Sequence, residues 1–151
     1  MSTVSKPWSY TLQLPHEVHS PRIARCTLRS ILQAHHLTQL IDTAELLASE
    51  LVTNAHLHSD GDYALRLRSA LPGQVRISVW DTNPEIPTAF VKEPDVPDDS
   101  AECGRGLLLV QLCADAWGAY QLGDAAFGTT GKLLWAECGR AGSGGAWSDA
   151  A

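Results

Sequence analysis

Glu50 and Asn54 stand four residues apart in the segment Glu50-Leu-Val-Thr-Asn54-Ala-His-Leu-His58. On a helix that spacing puts them, with His58, on one stripe, each a turn from the next. A carboxylate and an amide on an otherwise apolar helix are expensive to bury without partners. An amide oxygen is a hard ligand suited to Mg²⁺, which bridges phosphates while keeping several of its waters. A carboxylate beside it can serve as general base on a water or a hydroxyl. Spacing alone leaves the plainer reading open: a solvated helix face that happens to carry both residues.

Two further places could take part. Asp81 closes the apolar run Val75-Arg-Ile-Ser-Val-Trp80 and precedes Thr-Asn-Pro84, so it can present an acceptor at the end of a sheet. A turn-initiating Asp before Asn-Pro explains it equally. Gly104-Arg-Gly106 precedes an apolar helix. Glycines there would let a phosphate approach the backbone, and the free N–H groups of a helix N-terminus attract it. A loop–helix junction uses glycine in any case. Gly123 and Gly128 have P-loop spacing, but Thr129 follows where a P-loop has lysine, and no strand–helix–strand unit precedes them. His56 and His58 diverge by about 160° on a regular helix and cannot share a metal, so no zinc site is expected.

Elements must hold these groups in place. Trp8–Leu14 alternates large apolar and polar residues, as a half-buried strand does. Ser20-Pro21 reads as the cap and first position of a helix whose apolar face is Ile23, Ala24, Thr27, Leu28, Ile31 and Leu32. Arg22, Arg25 and Arg29 lie along its edge, either as a solvated border or as a partner-facing stripe. A second helix, from about Leu40 to Leu57, buries Ala44, Leu47, Ala48, Leu51, Val52 and Ala55 and carries Glu50 and Asn54 on another stripe. Tyr63–Arg68 and Val75–Trp80 form a hairpin turned at Pro72-Gly73. The segment 82–100 is rich in proline and acid and reads as a long loop. A third helix from Leu107 to Ala114, apolar all round, is expected to be deeply buried, and strands Ala116–Leu122 and Lys132–Glu137 complete the order. Strands paired as hairpins argue for an α+β two-layer sandwich: a mixed, mainly antiparallel sheet with helices on one face.

The chain has 151 residues, 44% of them hydrophobic and 19% charged, which suits one domain with a core rather than a disordered polymer. A folded domain over 1–138 and a disordered Gly/Ala/Ser-rich tail over 139–151 are expected. The net charge of −6 argues against general nucleic-acid binding, which needs a basic face. The longest aliphatic run, Leu107-Leu-Leu-Val110, is far short of the roughly 20 residues that span a bilayer. The first residues lack the apolar stretch of an export signal, so a cytoplasmic protein is expected. Cys26, Cys103, Cys113 and Cys138 form no C-x-x-C pair, so reduced thiols are the default.

Taken in order, Glu50-Leu-Val-Thr-Asn54-Ala-x-x-His58, Val79-x-Asp81 with Pro87, Gly104-Arg-Gly106-Leu-x-Leu-Val110 and Gly131-Lys-Leu-Leu-Trp-Ala-Glu137 resemble the histidine-kinase-like ATPases. The likeness is to the bacterial anti-sigma factor and serine-kinase group, in its short actinobacterial form, and covers about Trp8 to Cys138. It implies ATP held between helices and a lid formed by the loop from Thr82 to Cys103. Asn54 would hold Mg²⁺ against the phosphates and Glu50 would be the general base. Asp81 would accept from the adenine amino group, and Gly104, Arg105 and Gly106 would meet the phosphates. The implied partners are a sigma factor, a STAS-type anti-anti-sigma protein or both, with a homodimer also expected.

The chain departs from that pattern in two places. Asp81 is followed by Thr82-Asn-Pro-Glu85, where the wider superfamily has D-x-G-x-G. Relatives carry Gly-Lys-Thr-Val-Trp in the last strand, with a threonine near the adenine; here Leu133 stands at that position of the motif, and Thr129 or Thr130 is the candidate substitute. These departures keep a second function in view: a non-catalytic module of the same fold that sequesters a partner with weak or lost nucleotide binding.

Overall fold

The computed structural model describes residues 6–90, 105–123 and 130–139. Five strands and three helices follow one another as β1 (Trp8–Leu14), α1 (Ser20–Ala34), α2 (Ile41–His58), β2 (Tyr63–Ser69), β3 (Val75–Asp81), α3 (Arg105–Cys113), β4 (Ala116–Leu122) and β5 (Gly131–Cys138). The strands form one sheet in the order β1-β2-β3-β5-β4. Among the described residues every ladder is antiparallel, within the α+β sandwich expected.

Alternation fixes the two faces of the sheet. Tyr63, Leu65 and Leu67 of β2, Val75, Ile77 and Val79 of β3, and Leu134 and Ala136 of β5 point to one side. There they share a core with Leu28 and Leu32 of α1 and Leu47, Leu51 and Val52 of α2. Each such leucine, isoleucine or valine contributes about 1.5–3 kcal/mol on full burial. The other face carries Arg66, Arg68, Ser78, Trp80 and Trp135; there Arg76 lies over the Trp135 ring at 4.1 Å and pairs with Glu137 at 2.8 Å. No helix among the described residues is long and apolar enough to cross a membrane.

Three local expectations change. Ser20 is the first residue of α1 rather than its cap. Its buried hydroxyl donates to the Pro15 carbonyl at 2.6 Å, and no side chain caps the helix. The apolar wrap of α3 is buried on one side only: Leu107 and Val110 enter the core, whereas Leu109 and Leu112 are exposed. Of the proline-rich segment, residues 82–90 are described, and a 3₁₀ turn at Thr88–Phe90 buries Phe90. The rest of that segment and the tail from residue 140 lie outside the described residues. Arg29, from the arginine edge of α1, forms an ion pair with Glu45 of α2.

Cys138, at the end of β5, is buried beside Val75. Burial first, and the nearby Asp115 charge second, push its thiol from 9.0 to about 12. The folded chain therefore keeps a proton that the unfolded chain releases above pH 9. Stability is fully present below that pH and falls by about 1.4 kcal/mol per unit as pH rises toward the folded value. Denaturant melts between pH 9 and 11 should show this slope, and Cys138→Ala should flatten it. An equal slope in both proteins would remove the thiol from the account.

Candidate functional site

The stripe opposite the core side of α2 is where chemistry collects. Leu47, Leu51 and Ala55 tie the helix to the sheet and leave Asn54 at the edge of the packed interior, 8% exposed. Its Oδ1 is buried and has no hydrogen-bond partner. A buried acceptor left unpaired costs about 1–3 kcal/mol, so the fold retains it at an expense that packing does not explain. Asn54 lines a cavity of about 300 Å³ together with His58, Asn83, Glu85, Thr88 and Lys132, and with the apolar Pro87, Ala89 and Leu107.

The end of this cavity at the sheet is built by β3 and β5. Their register places Asp81 opposite Lys132. The two are 1% and 0% exposed and form an ion pair, with Lys132 Nζ donating to Asp81 Oδ2 at 2.8 Å and to Oδ1 at 3.0 Å. The same ammonium lies 3.3 Å from the Asn83 carbonyl oxygen. A Cβ on Gly131 would sit 2.3 Å from the Asp81 carbonyl oxygen, so only glycine lets the two strands close here. Beyond β3 the chain makes two successive Asx turns. The Asn83 N–H donates to Asp81 Oδ1 at 2.8 Å, and the Glu85 N–H donates to Asn83 Oδ1 at 2.9 Å. The Asn83 side-chain amide donates to the His58 carbonyl at 2.7 Å, which ties this turn to the end of α2. Asparagine thus organises, through side-chain hydrogen bonds, the turn that glycines would have formed by backbone freedom.

The residues singled out in the sequence are only partly brought together. Asn54 lines the cavity. Glu50 lies one turn earlier on α2, half-buried and beside the cavity rather than in its wall. Asp81 stands behind the wall, with its carboxylate engaged by Lys132. Arg105 and Gly106 open α3, whose next residue, Leu107, lines the cavity, while Gly104 lies outside the described residues. Thr130 is exposed and is not part of the lining. Leu133 faces away from the cavity, opposite Trp80, and the β5 residue beside Asp81 is Lys132. Successive residues of a strand point to opposite faces, so Leu133 and Lys132 lie on different sides of the sheet.

Lys132, Asn83, His58, Glu85, Thr88 and Ala89 are the lining residues to which sequence reasoning gave no role. The signal for His58 was its place on the Glu50–Asn54 stripe. His56, two residues earlier, leaves α2 on another side, stacks on His16 with ring centroids 4.4 Å apart and meets the Tyr63 hydroxyl at 2.9 Å. Burial pushes the Tyr63 phenol up. Among the described residues no group of three His, Cys, Asp or Glu could hold a metal ion. A cation here would therefore rest on the Asn54 oxygen, waters and a ligand's own phosphates, a donor set suited to Mg²⁺.

A five-stranded antiparallel sheet, helices on one face and a cavity against the long second helix together define a nucleotide-binding sandwich. The family model of the histidine kinase-like ATPase domain matches residues 14–135, and the chain belongs to that family. It is on that ground an ATP-binding regulatory protein. The comparison with curated proteins gives no match.

Proposed function

We propose that this chain works by partner switching: it binds a sigma factor, and it transfers the γ-phosphate of ATP to a serine of a STAS-type anti-anti-sigma protein. The observation that carries this reading is the unpartnered Asn54 Oδ1 at the cavity wall of a histidine kinase-like ATPase domain. In it, Asn54 holds Mg²⁺, which offsets the charge of the phosphates. Backbone N–H groups at the start of α3, from Arg105 and Gly106, donate to the phosphate oxygens. Glu50 takes the proton of the serine hydroxyl. Its place beside the cavity suits a base that serves a hydroxyl arriving from another protein. Catalysis is then mostly positioning and electrostatics.

Glu50→Gln tests the assignment. The variant should bind Mg·ATP like the parent and lose about 10²–10⁴-fold in phosphate transfer to a STAS-domain serine, the usual contribution of a general base. Radiolabelled γ-phosphate transfer reads the rate and calorimetry reads the binding. Transfer at the parental rate would remove Glu50 from the chemistry. The second reading, a non-catalytic module that sequesters its partner, is favoured by the position of Glu50 outside the cavity wall. It predicts partner binding with no transfer by the parent protein.

A further inference from the structure

The sheet face turned away from the helices takes no part in the cavity, and its charge is the reverse of the chain's. The net charge of the chain is −6. Among the described strand residues this face sets Arg66, Arg68 and Arg76 against a single carboxylate, Glu137. Alternate residues of a strand share a face and lie about 6.7 Å apart, and neighbouring strands lie about 4.8 Å apart. Arg66 and Arg68 take two such alternate positions on β2, and the register sets Arg68 opposite Arg76 of β3. Like charges directly opposite one another destabilise a strand pair. Arg76 is compensated: it pairs with Glu137 at 2.8 Å and lies over the Trp135 ring at 4.1 Å. Arg66 and Arg68 are exposed and meet no carboxylate among the described residues. Arg66 Nε donates to the neutral Ser9 hydroxyl at 3.1 Å, and Arg68 borders a shallow hollow with Pro7, Trp8 and Ser9. The same face carries Trp80 and Trp135, both half-buried, and Tyr120, which is 52% exposed. The Trp135 Nε1–H is buried and has no acceptor.

Arginine, tryptophan and tyrosine without lysine is the composition of protein–protein contact surfaces, and arginine holds carboxylates there by paired N–H bonds. We propose that this face docks an extended acidic segment of a partner protein, with carboxylates at every second residue facing Arg66 and Arg68 and apolar side chains toward Trp80 and Trp135. A strand-like segment repeats its side chains at the pitch of β2, so it meets both guanidinium groups at once. A second copy of this chain does not supply those carboxylates from the same face, because Glu137 is held by Arg76 of its own chain. A nucleic acid draws its affinity from many phosphate contacts, and beyond the arginines it meets a chain of net charge −6. The face lies across the sheet from the cavity, so the proposal is independent of the nucleotide reading.

The probe is a blocked decapeptide of alternating glutamate and threonine. Its isomer with all the glutamates ahead of the threonines has equal charge and the wrong pitch. Titrated at low salt into the ¹⁵N-labelled full chain, the alternating peptide should shift the Nε–H signals of Arg66 and Arg68 and the indole signal of Trp135. Its dissociation constant should be about tenfold below that of the isomer, the effect of one charge-assisted pair. Arg66→Glu with Arg68→Glu, at exposed positions outside the core, should weaken binding by about tenfold or more. Arg22→Glu with Arg25→Glu, on α1 in the other layer, should stay within about twofold of the parent, the scale of a screened long-range charge effect. Equal affinities for the two isomers, or a loss that follows α1 rather than β2, overturns the proposal. So does an oligouridylate that displaces the peptide with higher affinity, which would make the face a nucleic-acid surface. Sedimentation of the parent as a dimer that Arg68→Glu separates would give the face to a second copy and likewise overturn it.

Discussion

Asn54→Ala is expected to abolish the binding of Mg·ATP while leaving the unliganded protein at least as stable as the parent. Both halves follow from one atom. The Asn54 oxygen is buried at the cavity and has no donor, so the unliganded fold carries about 1–3 kcal/mol of unmet desolvation there. Alanine removes that burden and is also the better helix former in the middle of α2. On the proposed reading, the liganded protein loses the side-chain oxygen that would hold the cation. At nucleotide concentrations a hundredfold above the parental dissociation constant, the parent gains about 2.7 kcal/mol from binding. The variant should gain nothing measurable. Thermal melts with and without Mg·ATP read both quantities in one experiment. A melt that still rises with Mg·ATP, by as much as in the parent, would show that Asn54 is not the cation's ligand. A clear fall in the unliganded melt would show instead that the amide is structural.

The order of elements and the core were legible because their signals are local. Period-two alternation marks Trp8–Leu14 and Val75–Trp80, and the apolar face Ala44, Leu47, Ala48, Leu51, Val52 and Ala55 marks α2; the structure buries that whole helical set. Asn54 was legible as well, since a polar residue on that helix raises the question of its partner. Local patterns fail where a residue's surroundings come from far along the chain. Asp81 and Lys132 are 51 residues apart, and they meet only because β5 inserts between β3 and β4 in a set register. Nothing in the hexapeptide around either residue specifies that register, so the pairing of Asp81 with Lys132 was not legible in the sequence.

The helix α3 teaches the same lesson about burial. Leu107-Leu-Leu-Val110 has the composition of an interior helix, but α3 packs on α2 and β4 at the border of the layer and turns Leu109 and Leu112 outward. Composition reports how much of a helix could be buried, while the number of neighbouring layers decides how much is. Likewise Asp81-Thr-Asn-Pro looked deficient beside a glycine-bearing motif, although Asn83 closes the turn by side-chain bonds that a motif comparison does not count.

Breaking the Asp81–Lys132 pair from one side should be among the most damaging single changes to the fold. Either Lys132→Met or Asp81→Asn is expected to cost about 3–5 kcal/mol, because each leaves a charge in the interior with its counter-charge gone. Removing both charges together should cost much less. In the double variant the amide oxygen introduced at position 81 can still accept from the Asn83 N–H, and a methionine stem fills much of the lysine's volume. The double-mutant cycle should therefore show a coupling larger than either single cost, above about 3 kcal/mol. Both partners are 1% exposed or less, so 1 M NaCl should leave that coupling nearly intact. The Arg29–Glu45 pair, whose side chains are 49% and 26% exposed, should show about 0–1 kcal/mol and lose it in salt. Additive costs in the Asp81–Lys132 cycle, or single variants that melt like the parent, would mean that the pair is not closed in solution. In that case the Asp81 carboxylate would be free to turn toward the cavity.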